Sequence, residues 1–287
     1  MVRERAAGAG AVSYAALVLG RDLVALDQDH PGFRDEAYRA RRNAIAAAAL
    51  SHQRGQPAPF VAYTEEEHGV WRTVWDHLEP LHAQYACAAY RRGAAQLALD
   101  RGKVPQLAAL NDVLGAVTGF AMLPVAGLVT PKVFMDHLDE GVFLATQYMR
   151  HHSRPLYTPE PDVVHEVVGH GPTLMHPDFV GLSRAFGAAS KRAAPEAIDG
   201  LIRLYWYTLE FGVVEEGGSL HVYGAGLLSS FGELGRFERE ARLVPLDIGR
   251  IVETPFDPTT YQATLFVAPS FERMVTEVTA YLDTCGR

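Results

Sequence analysis

The sequence predicts a single domain that is mainly α-helical with a small β component. Three observations carry this reading. Signatures of helix N-termini recur along the chain, strand-like runs are few and short, and no Pro/Gly/Ser linker or internal repeat divides the 287 residues. That length suits one substantial core or two small domains. Residues 1 to about 12 are small, lack periodicity and are expected to be disordered, so an N-terminal extension is placed at 1–28 and the domain at 29–287. A helix from about Asp35 to His52 carries mixed charges and then an alanine run. Thr64 with Glu67 reads as a capping box opening a helix through Trp71 and Trp75. Helices near 105–115 and 131–140 follow, the second with Thr130 as its cap and Pro131 in its first turn. A helix ending at His170 comes next, then helices near 177–194 and 196–213. Tyr261 to Val267 is the best strand candidate, with short strands near Leu220 to Tyr223, and a last helix runs from about Ser270 to Leu282.

Composition limits the function classes. At 48% hydrophobic and 21% charged the chain is of the ordinary globular type. A net charge of −8, without a basic stripe carrying interleaved aromatics, argues against a nucleic-acid partner. Cys87 and Cys285 are far apart and read as two reduced thiols. The Ala- and Gly-rich start is broken by Glu4, Arg5, Arg21 and Asp22, so neither a signal peptide nor a membrane span is expected. The expectation is a cytoplasmic protein with no membrane partner.

Chemistry concentrates in His165-Glu166-Val167-Val168-Gly169-His170-Gly171-Pro172. In the zinc-protease signature the histidines are four apart and share one helix face. Here they are five apart, which leaves them about 140° apart on an ideal helix. Convergence therefore requires His170 to sit where the helix ends and unwinds, and Gly169, Gly171 and Pro172 are suited to ending it. A third ligand is sought in Leu204-Tyr205-Trp206-Tyr207-Thr208-Leu209-Glu210-Phe211-Gly212, where one carboxylate lies in an aromatic run. Burying Glu210 is costly unless it is paired, with Arg203 for instance, or binds a metal. Two histidines and a carboxylate with free positions suit non-haem iron(II). Trp206 and Glu210, four apart, would share a face.

These runs resemble the pterin-dependent aromatic amino acid hydroxylases. The likeness covers Tyr157-Thr158-Pro159-Glu160-Pro161-Asp162-Val163-Val164-His165-Glu166, then Gly169-His170, Tyr205 to Gly212, and Tyr223-Gly224-Ala225-Gly226-Leu227-Leu228-Ser229-Ser230-Phe231-Gly232-Glu233. Asp29-His30-Pro31-Gly32-Phe33, Tyr63-Thr64-Glu65-Glu66-Glu67, Pro124-Val125-Ala126-Gly127-Leu128 and Leu265-Phe266-Val267-Ala268-Pro269-Ser270-Phe271 extend it, in order, over roughly residues 29 to 283. The resemblance implies the family's catalytic fold and a ring-hydroxylating monooxygenase using Fe(II), dioxygen and tetrahydrobiopterin or a related reduced pterin. About 28 residues precede the matching region and the chain stops at Arg287, which leaves no room for the regulatory and tetramerising parts of animal members; a monomer is expected.

Roles follow by the same resemblance. His165, His170 and Glu210 would ligate iron. Phe134 would stack on the pterin, with Gly127 and Val129 approaching through their backbone and Glu166 and Tyr205 completing that side. Pro131 departs from a polar residue common in animal members and puts side-chain contacts to the pterin in doubt. Arg150 would take the substrate carboxylate as a bidentate partner, helped by Tyr157, Thr158 and Ser229 or Ser230. Trp206, Pro159, Phe211 and Val267 would wall the substrate ring. His151 and His152 read as a surface cluster, and His30 as a structural residue.

Trp206 resembles the phenylalanine and tyrosine branches, since tryptophan hydroxylases tend to carry Phe there. Val267 falls where tyrosine hydroxylases are expected to carry an acidic residue. Both favour free phenylalanine, hydroxylated at the 4-position. Meta-tyrosine formation and tryptophan hydroxylation are the alternatives within the family. A zinc hydrolase, with Glu166 as general base, and a non-catalytic amino-acid- or pterin-binding protein are the alternatives outside it.

Overall fold

Several helices begin where the sequence supplies a cap. The computed structural model describes residues 26–286, so the disorder expected over 1–12 falls outside the described residues. Asp35 accepts from the Tyr38 N–H and opens α1 (Glu36–Ser51). Thr64 and Glu67 form the expected reciprocal box at the head of α2 (Glu65–Tyr85). Cys87 caps α3 (Ala88–Leu97), a helix that the sequence reading passed over. Next come α4 (Leu107–Thr118), β1 (Ala121–Pro124), α5 (Pro131–Asp139), opened by Thr130 and Pro131 as expected, and β2 (Val142–Ala145). β1 and β2 pair in parallel with α5 as the crossover that parallel pairing requires.

The helix expected to stop at His170 does not stop there. Residues His165–His170 form a π-helical turn, and the chain continues directly into α6 (Gly171–Leu174). After α7 (Pro177–Arg192), the helix expected over 196–213 is composite and ends early. It consists of a 3₁₀ turn at Pro195–Ala197, then α8 (Ile198–Tyr205), then a second π turn at Trp206–Glu210. Val213 already belongs to β3 (Val213–Glu216), which turns into β4 (Ser219–Val222). Gly217 and Gly218, at φ 60° and 81°, make this hairpin possible, because both loop positions need the left-handed region. Three short helices, α9 (Ala225–Leu228), α10 (Phe231–Leu234) and α11 (Phe237–Glu240), lead to β5 (Arg242–Pro245) and α12 (Ile248–Glu253). The expected late strand is β6 (Thr264–Ala268), and Ser270 caps α13 (Phe271–Thr284). The second sheet runs β4-β3-β6-β5, antiparallel only at its hairpin edge.

The described residues share one large apolar core, in which Trp71, Leu78, Val167, Phe186, Leu204 and Phe266 are fully buried. No helix among them is long and apolar enough to cross a membrane. Both π turns lie inside this core, so the candidate ligands sit on buried helical turns rather than on surface loops. Beneath the first π turn, α3 meets α6 at Gly93, where an added Cβ would lie 1.9 Å from the Pro172 carbonyl oxygen. Gly93→Ala is therefore expected to force the two helices apart and destabilise the protein by about 1–3 kcal/mol. Urea denaturation measures this, and an unchanged midpoint would show that the contact yields freely.

Candidate metal centre and active site

The π turns explain how residues five apart come together. In the first, the Gly171 N–H donates to the Glu166 carbonyl five residues back, and in the second the Phe211 N–H reaches the Trp206 carbonyl at 2.8 Å. A turn closed i→i+5 is wider than an α turn and stacks residue i+5 over residue i. His165 and His170 thus share a face without an end to the helix, which corrects the expected unwinding. Small residues between the turns let them approach: a Cβ on Gly224 would lie 2.4 Å from the Glu210 carbonyl oxygen, and one on Gly169 would lie 2.7 Å from that of Ala225. The Tyr223-Gly224-Ala225-Gly226 run is the spacer that makes one site of two ligand-bearing turns.

The three side chains converge. His165 Nε2 lies 3.1 Å from His170 Nε2 and 3.6 Å from Glu210 Oε2, and His170 Nε2 lies 3.1 Å from Glu210 Oε1. The Ser229 hydroxyl donates to the Ala225 carbonyl at 2.8 Å, so it accepts from His165 Nδ1–H at 2.9 Å. That assignment leaves His165 Nε2 as a bare lone pair aimed at the cluster. Burial pushes His165 down to about 4, with Glu210 opposing, so the imidazole is neutral near pH 7. Burial pushes the Glu210 carboxyl up, but His170 and His165 together outweigh it and hold the group below its ordinary value. An unprotonated imidazole nitrogen, a second imidazole and a carboxylate facing one point form a donor set that fits a divalent cation. Glu210 does not pair with Arg203, whose guanidinium donates to the Val252 carbonyl at 2.8 Å.

Asp35, His151 and His152 also lie close enough to suggest a metal site. Their geometry argues against one. The Ser153 N–H donates to His151 Nδ1, so the proton sits on Nε2 and is given to Asp35 at 3.2 Å. His152 has a separate partner, its Nδ1 lying 3.2 Å from Glu66 Oε1, and its ring is tilted 30° to that of His151 at 4.3 Å. Of the expected surface pair only His152 is exposed; His151 is buried.

An aromatic wall rises from His170. The Phe143 ring lies 4.5 Å from it, Phe134 is perpendicular to Phe143 at 5.2 Å, and Tyr205 is 5.5 Å from Phe134. Glu166 is buried next to this wall and accepts from the Thr146 N–H and hydroxyl at 3.1 and 3.0 Å. Burial pushes its carboxyl up to about 7. Gly127 and Val129 are half-buried in the loop that leads from β1 to α5, and so to Phe134. On the other turn, Trp206 packs against Phe211 at 4.6 Å, and Phe211 abuts Gly226.

Arg150 has a buried partner that the sequence reading did not name. Its fork is already engaged, with Nε and Nη2 donating to the two oxygens of fully buried Asp162 at 2.9 and 2.8 Å. Nη1, 3.5 Å from the Pro155 carbonyl, and the second N–H of Nη2 lie outside the pair, an edge that can still take a second carboxylate. Asp162 also accepts from the His165 N–H at 3.2 Å, which ties Arg150 to the first ligand. Tyr157 and Pro159 are exposed, and the Thr158 hydroxyl donates to the Glu160 carbonyl at 3.0 Å. The Ser229 hydroxyl is occupied by His165 and Ala225, and Ser230 caps α10. Val267 pairs with Val213, just after the second π turn, and lines a surface groove with Leu220, Leu243 and Arg273 that contains none of the three candidate ligands.

Sequence reasoning missed Thr146, Phe143 and the supporting role of Asp162. The first two lie on a fully buried strip, 141–150, that lacks strand alternation. Asp162 was in view in Pro161-Asp162-Val163-Val164-His165, and a carboxylate among valines was its signal. Glu233 was also missed: it is half-buried, accepts from the Gln262 N–H at 2.9 Å, and is pushed up to about 7 by burial.

The fold and this geometry have counterparts. Residues 13–287 match the model of the biopterin-dependent aromatic amino acid hydroxylase family. The chain belongs to that family. It is 41% identical to a tyrosine 3-monooxygenase of Schistosoma mansoni over 91% of this chain and 57% of the relative. It is likewise 41% identical to phenylalanine-4-hydroxylase of Rattus norvegicus, over 91% of this chain and 59% of the relative. It therefore spans less than three-fifths of the length of either. The crystal structure of Chromobacterium violaceum phenylalanine hydroxylase with bound iron(III) and oxidised cofactor 7,8-dihydrobiopterin superposes with a TM-score of 0.76. That match has 32% identity and covers 86% of this chain and 95% of that one. As a hydroxylase-family site, the cluster is no longer read as that of a zinc hydrolase.

Two outcomes test the site itself. Glu210→Ala is expected to lose bound iron on desalting while the circular dichroism spectrum stays that of the parent; full retention of metal would remove Glu210 from the cluster. Glu233 tests the electrostatics. Its folded-state value, about 7, lies above its ordinary 4.5, so folding is favoured most below 4.5 and loses this contribution as pH rises toward 7. Glu233→Gln should therefore gain stability relative to the parent by roughly 1–3 kcal/mol across that window and gain no more above it. Denaturation curves near pH 5 and pH 8 with the same difference would refute the burial of this carboxylate.

Proposed function

We propose that this chain is an iron(II)- and tetrahydropterin-dependent monooxygenase that hydroxylates the ring of free L-phenylalanine, giving 4-hydroxylation to tyrosine. Dioxygen is the co-substrate. The observation that carries the reading is the convergence of His165, His170 and Glu210 on one point, next to the aromatic wall of Phe143, Phe134 and Tyr205. Two imidazoles and one carboxylate leave coordination positions open, as non-haem iron oxygenases require. The relative from C. violaceum, which holds iron(III) and dihydrobiopterin, supports the same cofactor pair here.

Iron and reduced pterin, when bound, supply the activation of dioxygen and the electrons; the chain positions reagents and excludes water. In this reading Phe134 offers its face to the pterin and Gly127 and Val129 approach it through their backbone. Glu166 and Tyr205 close that side, with Thr146 holding the Glu166 carboxyl in place. The substrate carboxylate docks on the free Nη1 edge of Arg150, near Tyr157, Thr158 and Pro159, with Ser230 as a further donor. Trp206 and Phe211 flank the substrate ring. Ser229 serves His165 instead, by fixing the tautomer that leaves Nε2 free.

The choice of phenylalanine rests on local residues, because overall identity to the tyrosine and phenylalanine enzymes is the same 41%. Trp206 narrows the pocket against an indole substrate, and Val267 offers an apolar side chain where a phenol-accepting enzyme would carry an acidic one. A cytoplasmic, monomeric protein belongs to the same proposal, and the two free thiols fit a reducing compartment.

Anaerobic loading with Fe(II) followed by aerobic turnover of phenylalanine with tetrahydropterin, with products separated against para- and meta-tyrosine standards, tests the reading. Para-tyrosine is expected. Meta-tyrosine would move the attack by one ring position, and product from tryptophan alone would overturn the substrate assignment. Arg150→Lys is the sharper probe of the carboxylate site. Arg150→Ala would leave buried Asp162 without a cation, at a cost of about 3–5 kcal/mol, and so confuse binding with folding. The lysine variant keeps the charge but loses the fork; its KM for phenylalanine should rise about 10- to 100-fold, with a smaller loss of melting temperature than the alanine variant shows. An unchanged KM would take Arg150 out of substrate binding.

A further inference from the structure

The indole of Trp206 has two apolar neighbours and one polar one. Phe256 stacks on it at 4.2 Å and 14°, and Phe211 packs at 4.6 Å and 34°. Ring stacking sets a plane but resists sliding and spinning within that plane only weakly. The polar neighbour removes that freedom: Trp206 Nε1–H donates to Gln262 Oε1 at 2.9 Å. Gln262 is buried, and its own amide is fully committed. Its Nε2 donates to the carbonyls of Asp257 and Thr260 at 3.0 and 2.9 Å, and its backbone N–H donates to Glu233 Oε2 at 2.9 Å. With both amide hydrogens directed at carbonyls, the oxygen has one orientation, and that orientation faces the indole. The 257–262 loop, through Gln262, and α10, through Glu233, are thereby locked to a side chain of the ligand-bearing π turn.

We propose that Gln262 is the positioning residue that sets which aromatic ring the substrate pocket accepts, by pinning the Trp206 indole through its Nε1–H while Glu233 anchors the Gln262 backbone. This rests on the reading of Trp206 as a wall of the substrate pocket. A pinned indole is a fixed boundary. Released from Gln262, it slides along Phe256 and leaves room for a wider ring. Apolar pockets separate substrates that differ in size by factors of roughly 10 to 200, so displacing one wall has a measurable effect.

The test is a double-mutant cycle between position 262 and position 206. Gln262→Met keeps the length of the side chain and removes the acceptor. It is expected to raise the ratio of kcat/KM for tryptophan to that for phenylalanine about tenfold in the parent, mainly through KM, and less than about twofold in a Trp206→Phe background. The same factor in both backgrounds, or none in either, overturns the proposal, because a loop that merely loses stability acts regardless of residue 206. Gln262→Glu keeps an acceptor oxygen and should hold the ratio within about twofold of the parent; a shift as large as that of the methionine variant also overturns it. Where the methionine variant does not fold, Gln262→Leu is the second apolar replacement. A separate arm needs neither iron nor pterin. The emission of Trp206, taken as the difference from the matching Trp206→Phe protein, should move with Gln262→Met and stay put with Gln262→Glu. An unmoved emission rejects the clamp even if the parent fails to hydroxylate phenylalanine, and that failure by itself counts only against the functional reading above.

Discussion

The site depends on the width of two helical turns. An α-helix would place His165 and His170 on different faces, and would return Phe211 to Tyr207 rather than to Trp206. The i→i+5 bonds from Gly171 to Glu166 and from Phe211 to Trp206 widen both segments by one residue. Such turns are uncommon because their geometry is poorer than that of the α turn, and they persist where packing holds them. Here that packing is dense: Val167, Val168 and Leu204 are fully enclosed, and the glycines on either side admit backbone where a Cβ would collide. The three candidate ligands are thus backed by the core of the molecule rather than by surface loops.

Burial sets the electrostatic character of the pocket. His165 is kept neutral and the Glu166 carboxyl is raised, both primarily by desolvation, whereas Asp162 and Glu210 stay low because cationic or imidazole partners offset the same penalty. Four ionisable groups within one short stretch and its partner turn therefore hold different protonation tendencies in one dry environment. Charged or imidazole partners decide the two low groups, Arg150 for Asp162 and the two histidines for Glu210, whereas Ser229 and Thr146 orient His165 and Glu166.

Much of this was legible in the sequence, and the misses have physical causes. Caps at Thr64 and Thr130, and helix starts at Asp35 and Ser270, were readable because caps are local, made by a side chain and a backbone amide three residues on. The ligand trio was readable because a lone carboxylate in Tyr205–Phe211 and paired histidines have few other uses together. The π turns were not, since composition does not distinguish a turn that unwinds from one that widens. Strand β2 and the strip beyond it escaped because both faces are covered, which erases the period of two. Partners were the least legible. That Arg150 is already paired, or that Val267 faces a groove on the far sheet, follows only from elements distant in the chain.

Asp162 carries a consequence for how such a site changes over time. One oxygen of its carboxylate takes the Arg150 Nε–H; the other takes Nη2 and the backbone amide of His165. Arg150 and His165, the proposed anion-binding edge and the first candidate ligand, thus hang from a single peg, and the span between them is a ruler that no one substitution lengthens without loosening both ends. The aromatic pocket hangs from other supports, the second π turn and the loop before β6. A lineage that needed the same chemistry on a different ring would find the ruler closed to adjustment and the walls open to it. Drift in substrate is thereby steered toward one half of the pocket, while the other half stays fixed.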